Sequence, residues 1–444
     1  MKQIYLILIV FLLAGCASKD LDYSPKDIYK DYNASWQYDF NSTRLNNLIQ
    51  MAIEKNEDLA IAALNLNIAL RRAGLSRQDL LPSFSAGFGG SLNRNVNMSD
   101  SWKKGFNSEF ALSWQLDIFG KLYDAYESKN YNALKSSLDL KSVHLSVVNS
   151  VIDEYFHILY LNDKISNLSS NLTNLEQLHQ IIQIKFQYGK ETRLSLAQSS
   201  QNLLNLRNSL LSAQKELQSA YENLNNLTDN KDKFDDEKLS NLALSELDLG
   251  IELSQDDIEL KWLEKIQNRP DINAALSALN AGFYDYRSSK KAFLPSVSLG
   301  ASLSDSDEKF NKAFGFEFFS SNLRVNLPFL DYFRLKDNLK ISEYEFEILR
   351  LNYEKALKNA INETIKFANF YINDKTILEN MQNIVLENEQ ILQIYEHKYE
   401  LGGAELKDFL EAKNNFINSQ NSLINQKYIL LSDKISFLRS SGSE

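Results

Sequence analysis

Few side chains in this 444-residue sequence are placed to do covalent chemistry. The four histidines, His144, His157, His179 and His397, fall at no metal-ligand spacing, and none sits in a motif with a nucleophile. No phosphate-binding or dinucleotide-binding glycine pattern occurs. The expectation is a protein that is not an enzyme, holds no metal and needs no cofactor; any energy must come from a partner. The groups that remain are one thiol, two amides and a pair of carboxylates. Cys16 is the only cysteine. Asn33 and Asn41 each head an N-x-[ST] sequon, Asn33-Ala34-Ser35 and Asn41-Ser42-Thr43, with Asp31 and Asp39 two residues before them. This acidic-extended form makes both candidate glycosylation acceptors. Asp408 and Glu411 are three residues apart, so on a helix they share a face.

The N-terminus says where the thiol goes. Lys2 precedes an apolar run from Ile4 to Leu13, then Leu13-Ala14-Gly15-Cys16. A basic start, a short apolar core and small residues before the cut are a secretory signal peptide, placed at residues 1–15. The run is shorter than the roughly 20 residues a spanning helix needs. Leu-Ala-Gly-Cys resembles the bacterial lipobox, which implies cleavage before Cys16 and lipidation there. Ala17 follows rather than Asp, which directs such a lipoprotein to the outer membrane. Lipidation would leave no thiol for a disulfide or a metal site. Residues 16–45 are polar and aperiodic and read as a lipidated tether. The net charge of −10 argues against nucleic acid.

The elements that position these groups are long, because only 5 prolines and 15 glycines punctuate the chain. They also occur twice. Asp58 to Pro82 recurs as Asp271 to Pro295, an offset of 213 residues. The same offset relates Lys185-Phe186-Gln187-Tyr188-Gly189 to Lys398-Tyr399-Glu400-Leu401-Gly402, and Asn208-Ser209-Leu210 to Asn421-Ser422-Leu423. Solenoid repeats run about 20 to 50 residues. The longer period means two tandem structural repeats, 46–228 and 258–444. Between them lies a segment, 229–257, rich in Asp, Asn, Lys and Ser.

Residues 122–186 contain neither proline nor glycine. Leu161, Ile165, Leu168, Leu172, Leu175, His179, Ile182 and Phe186 follow one another at alternating steps of four and three. That is a coiled-coil seam with a 3.5-residue repeat. Shifted by 213 from Ile165 onward, it becomes Leu378, Met381, Val385, Asn388, Leu392, Tyr395 and Tyr399. At 1.5 Å per residue, a helix of roughly 65 residues is about 100 Å long, enough to cross a periplasm. Apolar residues off the seam, such as Ile181, Ile184, Ile384, Ile391 and Ile394, predict neighbours on more than one side, as in a ring of helices. Glycines at Tyr188-Gly189 and Leu401-Gly402-Gly403 predict reversals into return helices at about 193–227 and 406–438. Shorter helices are expected at about 45–80 and 258–292.

After Pro82 the period becomes two. Phe84, Ala86, Phe88, Gly90 and Leu92 alternate with Ser83, Ser85, Gly87, Gly89 and Ser91. Phe110, Leu112, Trp114 and Leu116 make a second strand, and Asn93–Asn107 reads as a polar loop between them. Val297, Leu299, Ala301 and Leu303 make a third. Phe314, Phe316 and Phe318 begin a fourth, whose phase slips near Ser320-Ser321 and predicts a bulge. The two hairpins are placed at about 83–118 and 296–328. Strands of about 10 residues, apolar on one face and small-polar on the other, are those of an outer-membrane barrel. A hairpin packed on a soluble core is the plainer alternative. Four strands are too few to close a barrel, so spanning strands require an oligomer.

Together, these features resemble the TolC-like outer-membrane efflux proteins, in their lipidated branch serving resistance-nodulation-division multidrug pumps. Specific pieces are Arg269-Pro270-Asp271, Phe293-Leu294-Pro295-Ser296, Trp114-Gln115-Leu116-Asp117-Ile118-Phe119-Gly120, Leu327-Pro328-Phe329 and Tyr399 to Ala412. The resemblance implies a mainly α protein with membrane β structure. In it, a homotrimer builds a twelve-stranded β-barrel continuous with a long twelve-helix periplasmic α-barrel. It implies outer-membrane lipid, a periplasmic adaptor protein and an inner-membrane pump as partners. The inner end stays closed until they dock.

By position, Asp408 and Glu411 fall on the family's two acidic rings, and Tyr399 on its gate tyrosine. Rings of carboxylates at a constriction attract cations. The tip residues Tyr188, Gly189, Lys190, Leu401, Gly402, Gly403 and Lys407 would dock the adaptor. One departure matters. TolC has an Asp in the first hairpin that links to the tip Tyr and to a nearby Arg. The matching positions here are Ser195 and Ala404, so a closed state cannot use those bonds. The function implied is a passive exit duct for drugs or other small toxic compounds. Alternatives are a duct for type I protein secretion or metal efflux, or a periplasmic coiled-coil lipoprotein with no pore.

Overall fold

The computed structural model describes residues 42–94, 102–229 and 265–442. The signal peptide, Cys16, Asn33, Asn41 and all but the first residue of the segment 229–257 lie outside the described residues. Two short helices open the described chain, α1 (Thr43–Lys55) and α2 (Glu57–Gln78). The sequence suggests one helix over 45–80, but Asn56 divides it. Its extended backbone stops α1, and its side chain accepts the Leu59 N–H as the cap of α2. Helix α1 also begins within the expected tether, because Ser42 caps it by accepting the Leu45 N–H.

Strands β1 (Ser83–Asn93) and β2 (Lys103–Leu116) follow. Next come the long helix α3 (Lys121–Gln187) and the return helix α4 (Arg193–Thr228). The same order then recurs as α5 (Pro270–Lys291), β3 (Ser296–Asp307), β4 (Phe318–Asn326), α6 (Tyr332–Glu400) and α7 (Leu406–Ser440). The helix expected over 258–292 is broken before Pro270, which takes the first helical turn and has no N–H to continue a preceding helix. Among the described residues, no helix is long and apolar enough to cross a membrane.

The four strands form one antiparallel sheet in the order β1-β2-β3-β4. Its registers put Phe84, Phe88, Leu92, Phe110, Leu112, Trp114, Val297, Leu299, Leu303, Leu323 and Val325 on one face. Two expectations are corrected. Pairing resumes at Lys103, opposite Asn93, so the loop is shorter than Asn93–Asn107. β4 begins at Phe318, and its register against β3 runs unbroken from Ser304↔Phe318 to Ser296↔Asn326, so there is no bulge. The residue in phase with Leu323 and Val325 is Phe319; Phe314 belongs to the preceding turn, and Phe316 has positive φ (51°).

Strand and helix are joined by polar contacts supplied by the Trp114–Gly120 motif. Trp114 Nε1 donates to the Leu80 carbonyl (3.0 Å). Asp117 accepts the Leu122 and Tyr123 N–H groups at 3.0 and 2.8 Å, capping α3 beyond the left-handed Gly120. Lys291 donates to the Gly120 carbonyl and pairs with the fully buried Asp124 at 2.6 Å, with Arg287 on its other oxygen at 3.2 Å. At the start of α5, Arg269 reaches Asp271, Glu363 and the Ser440 carbonyl, tying α5 to α6 and α7.

The largest core lies in the middle of the helical region. Leu45, Leu48 and Ile49 of α1 pack there on Val147 to Leu161 of α3, with Leu224 of α4 and Leu431, Ile435 and Leu438 of α7. Each such side chain contributes about 1.5–3 kcal/mol by burial. Toward the tips the seam takes over. Leu161, Leu168, Leu175 and Ile182 are buried, with Ile165 and Leu172 packed beside them. In α6 every residue of the expected seam from Leu378 to Tyr399 is at least half-buried, whereas Ile384, Leu386, Ile391 and Ile394 are exposed. His179 is on the seam, and its Nδ1 is 3.0 Å from Ser199 Oγ.

An acid pair between α6 and α7, Asp433 buried and Asp374 half-buried, gives the helical region a pH dependence. Burial pushes the Asp433 carboxyl from its ordinary 3.8 up to about 7, and a hydrogen bond with Asp374 favours the same protonated form, against Lys366. A proton held more tightly in the folded state stabilises at low pH and is lost through the folded pKa. Between about pH 4 and 7 the unfolded chain has already released it, so stability falls as pH rises across that window. Thermal melting of the detergent-solubilised protein between pH 5 and 8 should therefore decline less steeply in Asp433→Asn; equal slopes would contradict this account.

Candidate gate at the helical tips

Each long helix ends in the same closure. Gly189 (φ 71°) and Gly402 (φ 75°) take the left-handed conformation. The Lys190 N–H reaches back to the Lys185 carbonyl, and the Gly403 N–H to the Lys398 carbonyl, both at 2.8 Å. This is the Schellman arrangement, in which glycine avoids the steric penalty of a Cβ. Thr192 then starts α4 by accepting the Ser195 N–H. The expected docking residues Tyr188, Gly189, Lys190, Leu401, Gly402, Gly403 and Lys407 are all exposed at these two turns.

The two tips are held together by a small core. Ile182 of α3 and Leu392 of α6 meet Leu406, Phe409, Leu410 and Ala412 of α7. Tyr399 lies at its edge, its ring stacked on Phe409 (5.4 Å between centroids, 8° between planes). The Tyr399 hydroxyl accepts from Lys185 Nζ and donates to Glu191 Oε1, each at 2.9 Å. The Lys185 ammonium also lies 4.4 Å from the ring centroid, close enough for a cation–π attraction. Burial raises the phenol's pKa, and the bond to Glu191 raises it further, against the opposing pull of Lys185. The hydroxyl therefore keeps its proton near neutral pH and donates it to Glu191.

Sequence reasoning placed Tyr399 at the gate but missed Lys185 and Glu191. The missing signal was spatial, since they precede Tyr399 by more than 200 residues. Ser195 does not replace them; its hydroxyl is 2.9 Å from Thr192 Oγ1.

Asp408 and Glu411 lie in the first two turns of α7, on the side turned away from Leu406, Phe409 and Leu410. Asp408 is half-buried and Glu411 exposed, and neither side chain bonds or pairs with a described residue. Among the described residues no group of His, Cys, Asp and Glu could hold a metal ion.

Two tall helical hairpins joined to a four-stranded sheet with one apolar face are the frame shared with outer-membrane channels of known structure. The chain belongs to the outer membrane efflux protein family, whose model matches residues 48–230 and 264–443. It is an outer-membrane efflux channel, located in the outer membrane with its helical part in the periplasm.

Over 421 residues it is 29% identical to the toxin and drug export protein A of Aggregatibacter actinomycetemcomitans, covering 92% of this chain and 90% of that one. It is 24% identical over 336 residues to the cation efflux system protein CusC of Escherichia coli O157:H7, covering 74% and 71%. The fold matches the crystal structure of the Campylobacter jejuni CmeC outer membrane channel with a TM-score of 0.82 at 22% identity, covering 96% of this chain and 93% of that one.

Removing only the Tyr399 hydroxyl separates the latch from the stacking. Tyr399→Phe should loosen the tip by about 1.5 kcal/mol and raise amide hydrogen exchange over residues 186–195 roughly tenfold. Unchanged exchange there would mean that the hydroxyl does not join the tips.

Proposed function

We propose that three copies of this chain form a single exit duct. In it, three four-stranded sheets close into a twelve-stranded barrel, continuous with a twelve-helix tunnel built from two tandem repeats per chain. The observation that carries this reading is the open sheet. β1 and β4 are its outer strands and, among the described residues, have no partner on their far sides. Backbone groups cannot stay unpaired in lipid, and the smallest barrels take about eight strands. Association also covers apolar groups that one chain leaves open, including Leu75 of α2 and Phe333, Tyr344 and Ile348 of α6.

The helical tips form the inner gate of this duct. In a trimer, Asp408 and Glu411 each make a ring of three carboxylates at the constriction, favouring cations. The Lys185–Tyr399–Glu191 latch holds the second hairpin against the first in place of bonds that Ser195 and Ala404 cannot make. A periplasmic adaptor docks on the exposed turns at 188–190 and 401–407, and an inner-membrane resistance-nodulation-division pump supplies the energy. Cys16 carries the lipid that anchors the N-terminus, and Asn33 and Asn41 are acceptor sites for glycan. The cargo is drugs or other small toxic compounds, in keeping with the relative named for toxin and drug export.

Single-channel recording in planar bilayers tests the pore and its gate together. The wild type should give small cation-selective currents, and Asp408→Ala/Glu411→Ala larger or less selective ones. A pore indifferent to the double substitution would move the gate elsewhere, and no current from folded trimers would remove the duct.

Charge reversal at Lys190 or Lys407 should weaken co-purification with the adaptor; unchanged recovery would take both lysines out of the docking surface.

A further inference from the structure

The connection between β3 and β4 folds back onto the sheet, and it does so on the apolar face. That face carries Phe84, Phe88 and Leu92 of β1, Phe106, Ser108 and Phe110 of β2, and Leu303 and Asp305 of β3. Toward the hairpin ends it turns polar, because Ser108 and Asp305 sit opposite one another in register. Both are buried nonetheless, at 3% and 8% exposure. Residues 308–317 cover them.

Ser108 Oγ donates to the Ala313 carbonyl. The Gly315 N–H donates to Asp305 Oδ2 at 2.8 Å, and the Ser306 N–H to Asp305 Oδ1 at 2.7 Å. Phe314 stacks on Phe88 (5.2 Å), and Phe310 meets Phe88 and Phe106 edge-on (5.5 and 5.7 Å). Within the connection, Ala313 is fully buried against the sheet, while Phe310 is 56% exposed on its outer side. Phe310 and Phe314 thereby pack on the face that carries this carboxylate and hydroxyl.

We propose that residues 308–317 are a lipid-facing collar, seated in the outer leaflet at the level of the glycerol groups and upper acyl carbons. The proposal rests on the reading of the sheet as membrane-spanning. Three observations favour lipid as the occupant. Phe310, Phe314 and Phe316 of the collar extend the apolar band of β1 and β2, with Glu308, Lys309, Asn311, Lys312 and Glu317 exposed among them as in an interfacial segment. The collar lies at the hairpin ends, away from the helices and hence at the outer side. It also leaves the opposite face, with Ser85, Gly87, Asn107 and Glu109, uncovered, which a plug of the lumen would not do. Aromatic side chains favour the membrane–water interface. An uncovered carboxylate on the lipid face would be destabilising, and the collar supplies Asp305 with the Gly315 N–H and keeps it from lipid.

The test is fluorescence of the full-length protein in phospholipid vesicles. The wild-type signal is subtracted from those of Phe310→Trp, Phe84→Trp on the same face, and Glu109→Trp on the opposite face. The added emission of Phe310→Trp should be largely lost when the acyl chains are brominated near the glycerol end, and acrylamide in the water should quench it far less than it quenches Glu109→Trp. If Phe84→Trp responds to brominated chains and Phe310→Trp only to acrylamide, the collar stands in water and the proposal falls alone. If neither responds to brominated chains, the membrane reading of the sheet falls with it.

Discussion

Among the described residues, an open sheet of four strands leaves the outer N–H and C=O groups of β1 and β4 unpaired, and in the proposed barrel lipid would offer them nothing. That constraint organises the molecule. The proposed trimer answers it by passing the pairing problem from one chain to the next until the sheet closes. The alternation along the strands puts Phe, Leu and Val on one face, the lipid side of the proposed barrel, and Ser, Gly and Asn on the other. The same logic explains why Asp305 can occupy the apolar face. It is tolerated because a connection folds over it and gives it the Gly315 N–H, beside the N–H of its strand neighbour Ser306.

The helical region solves a different problem, that of staying ordered over about 100 Å without a globular core. A seam with a 3.5-residue repeat lets each long helix bury one stripe against its neighbours along its whole length. In α6 the seam residues are covered and the off-seam isoleucines are not. One chain therefore completes only part of the packing that its sequence encodes. Where helix gives way to strand, packing alone does not fix the direction of the chain. Asp117, Gly120, Asp124 and Lys291 set it through backbone caps and a buried ion pair.

At the tips, two kinds of contact divide the work. The apolar cluster around Ile182, Leu392 and Phe409 brings the hairpins together without directional preference. Tyr399 adds direction, since its hydroxyl has one donor and one acceptor in fixed positions. Such a contact can be exchanged for others at modest cost, whereas the apolar cluster resists separation. That combination suits the proposed gate, which docking partners would have to open.

Much of this was legible in the sequence, because periodicity is a local property. The seam, the glycine closures at Gly189 and Gly402, the return helices and the strand alternation all follow from residue type and spacing. The sequence misplaced features that hinge on single contacts: the divide at Asn56, the break before Pro270 and the start of β4 at Phe318 rather than Phe314. Short-range alternation suggested a bulge at Ser320-Ser321, yet pairing with β3 runs straight through, since register answers to the partner strand. Only the tertiary structure could name Lys185 and Glu191 as the partners of Tyr399, or bring residues 308–317 over Ser108. A side chain's spacing along its own element is written in the sequence, but its partners across hundreds of residues are chosen by how the elements pack.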